Sequence, residues 1–185
     1  IYRFLIARLF YNDGLITIFT LGGIYAVGTL DFAFNEVLIL GIVLNVCACV
    51  GSFIFGYYED ILGVKKIINV SLFFLILATI VAFVSPSTSN PKEWFWCSCI
   101  LIGLMSGPNQ SCSRSLMARL TPDNKKNEFF GFYAFTGKAT AFLGPFIFAL
   151  LSSFYSAQIG LLVVVCFFLI GYIVFKPLKI SKHEK

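Results

Sequence analysis

The chain has 185 residues, 58% of them hydrophobic and only 12% charged, with a formal net charge of +5. Soluble domains run at about 45–50% apolar and 25% charged, and a soluble fold of this length has too little interior to bury the excess. The composition therefore excludes a soluble globular protein and makes lipid the solvent for much of the surface. At about 20 residues per span, six spans take about 120 residues and leave about 65 for connections. That is the arithmetic of an all-α membrane protein of six transmembrane helices joined by short loops.

In chain order, Ile1-Tyr2-Arg3 opens the sequence without an initiator Met, and no cleavable secretory pattern follows. The first apolar stretch covers about residues 9–30 and stops at Asp31; the second covers 37–55 and is closed by Glu59-Asp60. Lys65-Lys66 launch a third over 67–84, ended by a Ser- and Pro-rich segment at 85–91. Trp94 and Trp96 mark an interface at the start of a fourth, 94–113. The fifth covers 129–151 and the last 159–175, before a basic tail. Lipid offers backbone groups no partners and the pattern lacks strand alternation, so all six are expected to be helices.

Basic residues set the expected orientation. Both termini and the loops 56–66 and 114–128 collect the lysines and arginines on one side. The other side has Lys92 alone beside Asp31, Glu36 and Glu93. That asymmetry predicts an integral multi-pass protein with both termini cytoplasmic; a bacterial inner (plasma) membrane is the expected setting. It also accounts for the positive charge without nucleic acid as a partner. The six cysteines (Cys47, Cys49, Cys97, Cys99, Cys112, Cys166) fall in apolar runs and read as small buried hydrophobes. Their spacing is not that of a zinc site, and the single His183 lies in the tail. With no metal-spaced carboxylates and no base near Ser111-Cys112-Ser113, the sequence gives no sign of an enzyme.

Polar groups inside the spans are the candidate functional residues, because they are costly there unless they face a bundle interior or a wet cavity. Lys138 falls near the middle of the fifth span, on a helix face with Gly131, Ala134, Ala141 and Pro145. It reads either as a cation lining a substrate path or as half of a buried ion pair. In the second span Gly41, Asn45, Ala48, Ser52 and Gly56 form a stripe, with Asn45 placed to bond a neighbouring helix or a solute. In the fourth, Gly103-x-x-x-Gly107 is a weak packing motif, and Pro108 before Asn109-Gln110 predicts a kink that frees carbonyls beside two amides. Arg114 lies on the Gln110 face, one turn on. Asp13 sits just inside the cytoplasmic interface, as a gate or proton-coupling carboxylate or as a partner of Arg8 or Arg114. In the loop 56–66, Gly56 allows close helix approach, Gly63 a tight turn, and Asp60 a contact with a helix N-terminus that can act as a two-state latch.

That loop resembles the G-x-x-x-D-x-x-G-x-[RK]-[RK] motif of the major facilitator superfamily, carried by Gly56, Asp60, Gly63, Lys65 and Lys66. The stretch Gly107-Pro108-Asn109-Gln110-Ser111 through Arg114, Arg119 and Pro122 resembles the tenth-helix signature of the unknown-major-facilitator branch and the autophagy-linked vacuolar effluxers. Glu128-Phe129-Phe130-Gly131, Gly137-Lys138, Leu143-Gly144-Pro145 and the opening Ala7-Arg8-x-x-Tyr11-Asn12-Asp13-Gly14 resemble the same branch. The resemblance covers essentially the whole chain and implies helices seven to twelve of a twelve-helix fold, with the missing Met reading as a cut. It implies alternating-access transport of a small polar solute, amino acids or related metabolites preferred, with no cofactor beyond an ion gradient. Lys138, Asn109 and Gln110 become cavity or gate candidates and Asp60 a latch. In the superfamily this loop latches onto the other half, so Asp60 is expected to lack its partner here. The implied partners are membrane lipid, the N-terminal six-helix half or a second six-helix subunit, and a small-molecule substrate. The competing reading is a six-helix scaffold or receptor subunit that moves no solute.

Overall fold

A computed structural model describes residues 1–178; Lys179, Lys182, His183 and Lys185 of the basic tail lie outside the described residues. Within them the chain is helix and turn: α1 (Tyr2–Leu30), α2 (Phe34–Tyr57), α3 (Glu59–Leu62), α4 (Val64–Val84), α5 (Pro91–Leu120), α6 (Lys126–Thr136), α7 (Leu143–Phe154) and α8 (Ala157–Phe175). Two short 3-10 turns, Ser85–Ser87 and Asp123–Lys125, sit between them. The boundaries follow local chemistry. Pro91 opens α5, where a missing N–H costs little. The Ser156 hydroxyl accepts the Ile159 N–H at 3.2 Å and caps α8. Gly63 joins α3 to α4 at φ 82°, a conformation glycine adopts without steric cost.

Among the described residues four segments are long and apolar enough to cross a membrane: Tyr2–Leu30, Phe34–Tyr57, Val64–Ser87 and Ala157–Phe175. The other two expected spans differ. α5 has ample length at 30 residues, but Ser106, Asn109, Gln110 and Arg114 make it too polar. The fifth, read from sequence as one helix over 129–151, is split into α6 of 11 residues and α7 of 12. Residues 137–142 between them form successive tight turns, with Lys138 N–H on the Phe135 carbonyl and Leu143 N–H on that of Thr140. The helix face read from Gly131 to Pro145 through Lys138 is therefore not continuous.

α5 runs as one continuous helix through Pro108. Proline leaves the carbonyl of residue i−4, here Leu104, without its helical donor. That oxygen lies against Gly51 of α2, so close that a side chain there would collide with it. Backbone contact from a second helix covers the freed group, and the helix has no need to open.

Helices in lipid gain no hydrophobic drive to associate, so small residues decide where backbones meet. A Cβ on Gly103 would stand 2.8 Å from the Leu44 carbonyl oxygen, and one on Gly107 would strike the Ala48 carbonyl and the Ser52 hydroxyl. Gly51, Gly103 and Gly107 thus set the α2–α5 crossing. Gly171 sets that of α1 and α8, where a Cβ would come within 2.9 Å of the Tyr11 Cβ. α4 packs on both α5 and α8 and joins the two pairs. Gly56, by contrast, has nothing within 4 Å of a built Cβ, so no helix approaches there as the sequence suggests. One apolar cluster, with Phe4, Tyr11, Leu72, Leu116 and Phe168, fills the bundle at the end where α1 begins and α8 finishes. A second, with Tyr25, Phe32, Phe95 and Phe148, fills the other end. Of the cysteines only Cys99 and Cys112 are buried; Cys49, Cys97 and Cys166 are exposed, which on an apolar bundle places them toward lipid or cleft. α2 buries only Leu40 and Gly51, leaving most of its surface open.

Candidate functional site

α2 and α5 leave a cleft of about 460 Å³ on one side of their crossing. Asn45, Ala48, Cys49 and Ser52 form the α2 wall; Ser106, Gly107, Gln110, Ser111 and Arg114 form the α5 wall, with Phe19 of α1 at the margin. The spacing explains the convergence, because residues three and four apart share a helix face. Three of the sequence-named candidates, Asn45, Gln110 and Arg114, meet here. Asn45 donates to the Gly41 carbonyl of its own helix at 2.8 Å and makes no bond to a neighbouring helix.

Two further spaces adjoin the cleft. An apolar cavity of about 180 Å³, lined by Ile18, Tyr25, Leu40, Leu44 and Ile102, shares Phe19 and Asn45 with it. A small polar pocket of about 30 Å³ between α1, α5 and α6 shares Gln110 and Arg114. In that pocket the Ser113 hydroxyl donates to the Asn109 carbonyl at 2.6 Å, so the Tyr11 hydroxyl, 2.7 Å away, donates to Ser113. Asn109 itself is fully buried. Its amide N–H reaches Ser71 Oγ of α4 at 3.0 Å, while its Oδ1 has no partner.

The break in the fifth span is held by α1. Arg8 Nη1 donates to the Tyr133 carbonyl at 2.6 Å and to Thr136 Oγ1 at 3.2 Å, with its guanidinium carbon 3.5 Å above the Tyr133 ring. Asn12 Nδ2 donates to the Gly137 carbonyl at 3.2 Å, and Thr140 Oγ1 donates to Asp13 Oδ1 at 3.2 Å. Irregular backbone at membrane depth persists only where protein groups satisfy it, and these side chains do so. Asp13 is fully buried, its Oδ2 has no partner, and among the described residues no cation pairs with it. The pairing with Arg8 or Arg114 left open by the sequence is not formed, because Arg8 is spent on α6 and Arg114 faces the cleft. Lys138 sits in the break, exposed, and lines none of these three spaces.

The loop motif finds a partner within the chain. Arg119 Nη2 lies 3.0 Å from Glu59 Oε1 and 3.4 Å from Asp60 Oδ1. Ser115 also donates to Glu59, and the Cys112 thiol lies 3.6 Å from its Oε2. The Glu59 side chain is 15% exposed and that of Asp60 90%. Solvent screening therefore leaves Glu59 the stronger anchor. Within this chain Arg119 meets Asp60, a contact apart from the one expected with the other six-helix half. Lys65 is half-buried and Lys66 exposed. Glu59, Arg119 and Thr140 were not legible as site residues. The i,i+4 rows Arg8/Asn12 and Asp13/Thr17 were visible, but nothing in them names the break they serve. Among the described residues no group of three or more metal-ligating side chains converges.

Over residues 1–185 the chain matches the family described as Vacuole effluxer Atg22 like. The chain belongs to this family. It is similar to the Uncharacterized MFS-type transporter YxiO of Bacillus subtilis (strain 168), 32% identical over 149 residues, which is 80% of this chain and 34% of that protein. It is similar also to Autophagy-related protein 22 of Cryptococcus neoformans var. neoformans serotype D (strain JEC21), 28% identical over 164 residues, 82% of this chain and 29% of that protein. The chain spans about a third of the length of these curated relatives. In this Atg22-like chain the stretch 107–122 supplies most of the α5 wall of the cleft and Arg119, the partner of Glu59. The stretch 7–14 supplies the side chains that hold the break.

Proposed function

We propose that this Atg22-like chain forms one six-helix bundle of a major facilitator superfamily transporter, helices seven to twelve of a twelve-helix fold. The six crossings are α1, α2, α4, α5, the broken α6–α7 unit and α8. The protein moves a small polar solute by alternating access, with amino acids or related metabolites as preferred cargo. A second six-helix bundle faces the cleft of α2 and α5, and lipid covers the rest. Both termini are cytoplasmic, on the strength of the basic residues, and the bacterial relative favours a plasma membrane.

One observation carries the reading: Asn45, Ser52, Gln110 and Arg114 line a single open cleft in an otherwise apolar bundle. Polar side chains at such depth are kept where they meet solute, water or each other, and among the described residues none of these hydrogen-bonds to another helix. Asn45, Gln110 and Arg114 contact the solute, while Asn109 and Asp13 support the walls. Lys138 and the motif Gly56, Asp60, Gly63, Lys65 and Lys66 act as gate elements, and broken helices are a recurring feature of transporter sites. The test is flux of labelled amino acids in proteoliposomes holding the complete gene product. Gln110→Ala is expected to lower flux at least tenfold at equal protein; unchanged flux removes the cleft from the path. Lys138→Ala tests the gate separately, and unchanged flux removes Lys138. A protein that folds but moves no amino acid is the scaffold or receptor subunit instead.

A further inference from the structure

We propose that the small pocket between Arg8 and Arg114 is an anion site that takes the carboxylate of a solute whose remainder lies in the adjoining cleft. The inference rests on the transport reading for the route the solute takes, not for the binding itself. The pocket wall brings together two guanidinium groups, the amides of Asn12 and Gln110, and the hydroxyls of Tyr11 and Ser113, with no carboxylate among its residues. Of the acids toward this end, Glu59 holds Arg119, and Asp13 accepts from Thr140 and does not line the pocket. Two like charges beside one small space call for a counter-charge, and among the described residues no carboxylate pairs with either arginine.

The arginines also keep unused donors. Arg8 spends Nη1 on Tyr133 and Thr136, and the stacking of its guanidinium on the Tyr133 ring fixes its plane. Its Nη2 and Nε make no hydrogen bond to the described residues. Arg114 makes none among the described residues, although it lines both the pocket and the cleft. A planar guanidinium edge matches a carboxylate through paired charge-assisted bonds. Size favours that class. A water-sized group needs about 10–15 Å³ on this measure, and the pocket offers about 30 Å³. That is space for a small group such as a carboxylate at the margin of the cleft. Gln110 and Arg114 are shared with the cleft, so a carboxylate held here places the attached carbon chain toward Ser52, Asn45 and Phe19.

The test is an NMR titration of the complete gene product in neutral detergent with butyrate and with butyramide, which share a carbon chain and differ in charge. Butyrate is expected to bind at least tenfold more tightly. Arg114→Gln, which removes no hydrogen bond within the protein, is expected to bring butyrate to the butyramide level with the melting temperature unchanged. If Arg114→Gln does not fold, Arg114→Lys is read in the same titration, where reduced butyrate selectivity supports the site and full selectivity overturns it. Equal binding of the two probes overturns the proposal, as does wild-type butyrate affinity in Arg114→Gln. So does tighter binding of inorganic phosphate, or displacement of butyrate by phosphatidylglycerol, which assigns the pocket to a lipid headgroup. Butyrate selectivity in a protein that moves no amino acid supports the anion site and ends the transport reading. Amino-acid flux that survives Arg114→Gln does the reverse.

Discussion

A methyl group added at Gly107 would strike the Ala48 carbonyl and the Ser52 hydroxyl, whereas one added at Gly41 on the facing helix meets nothing within 4 Å. The two glycines look alike in sequence, each on a stripe of small residues, and differ only in what the neighbouring backbone does. Gly107→Ala is therefore expected to destabilise the bundle by about 1–3 kcal/mol, the usual cost of overpacking. Gly41→Ala should be neutral or stabilising by up to ~1 kcal/mol through helix propensity. Thermal unfolding in detergent reads both, and equal shifts would remove the α2–α5 crossing as described. The spacing of Gly103 and Gly107 made close approach legible; it gave no partner. Asn45 and Asn109 show the same limit, since an amide inside a span announces that it needs a bond without saying where. One found its own helix and the other found Ser71.

At the scale of elements, the apolar runs were legible because hydropathy is summed over many residues and survives local errors. The break at 137–142 was not. Lys138, Ala139 and Ala141 in that stretch suit a helix, and the bonds that replace the helical ladder come from residues 125 positions away. The unbroken helix at Pro108 has the same origin: the carbonyl that proline leaves without a donor lies against Gly51 of another helix. Asn12→Leu withdraws the donor from the Gly137 carbonyl, with an expected cost of about 0.6–1.7 kcal/mol for one bond between membrane helices. Amide hydrogen exchange should rise at 137–142 and stay unchanged in α8. A uniform rise, or none, would mean that α1 does not hold the break.

For the whole molecule, helix ends gather by charge. Arg3 reaches the Val174 carbonyl at 3.1 Å and Arg119 reaches Glu59 at one end, while Lys92 meets Glu36 at 2.9 Å at the other. With native cysteines replaced, a cysteine at Lys66 and one at Lys92 are expected to react with an impermeant maleimide from opposite faces of the membrane. Labelling from one face would overturn the orientation. The arrangement of the bundle also has a consequence in time. Arg8 and Asn12 precede by 125 residues the carbonyls they serve, an interval of roughly 6–25 s at typical rates of synthesis. Through that interval α1 carries a guanidinium and an amide with no acceptor on α6, so its first position in the bilayer is provisional. Its final seat is reached only once the fifth crossing has been made, which ties insertion of the two segments into one late event.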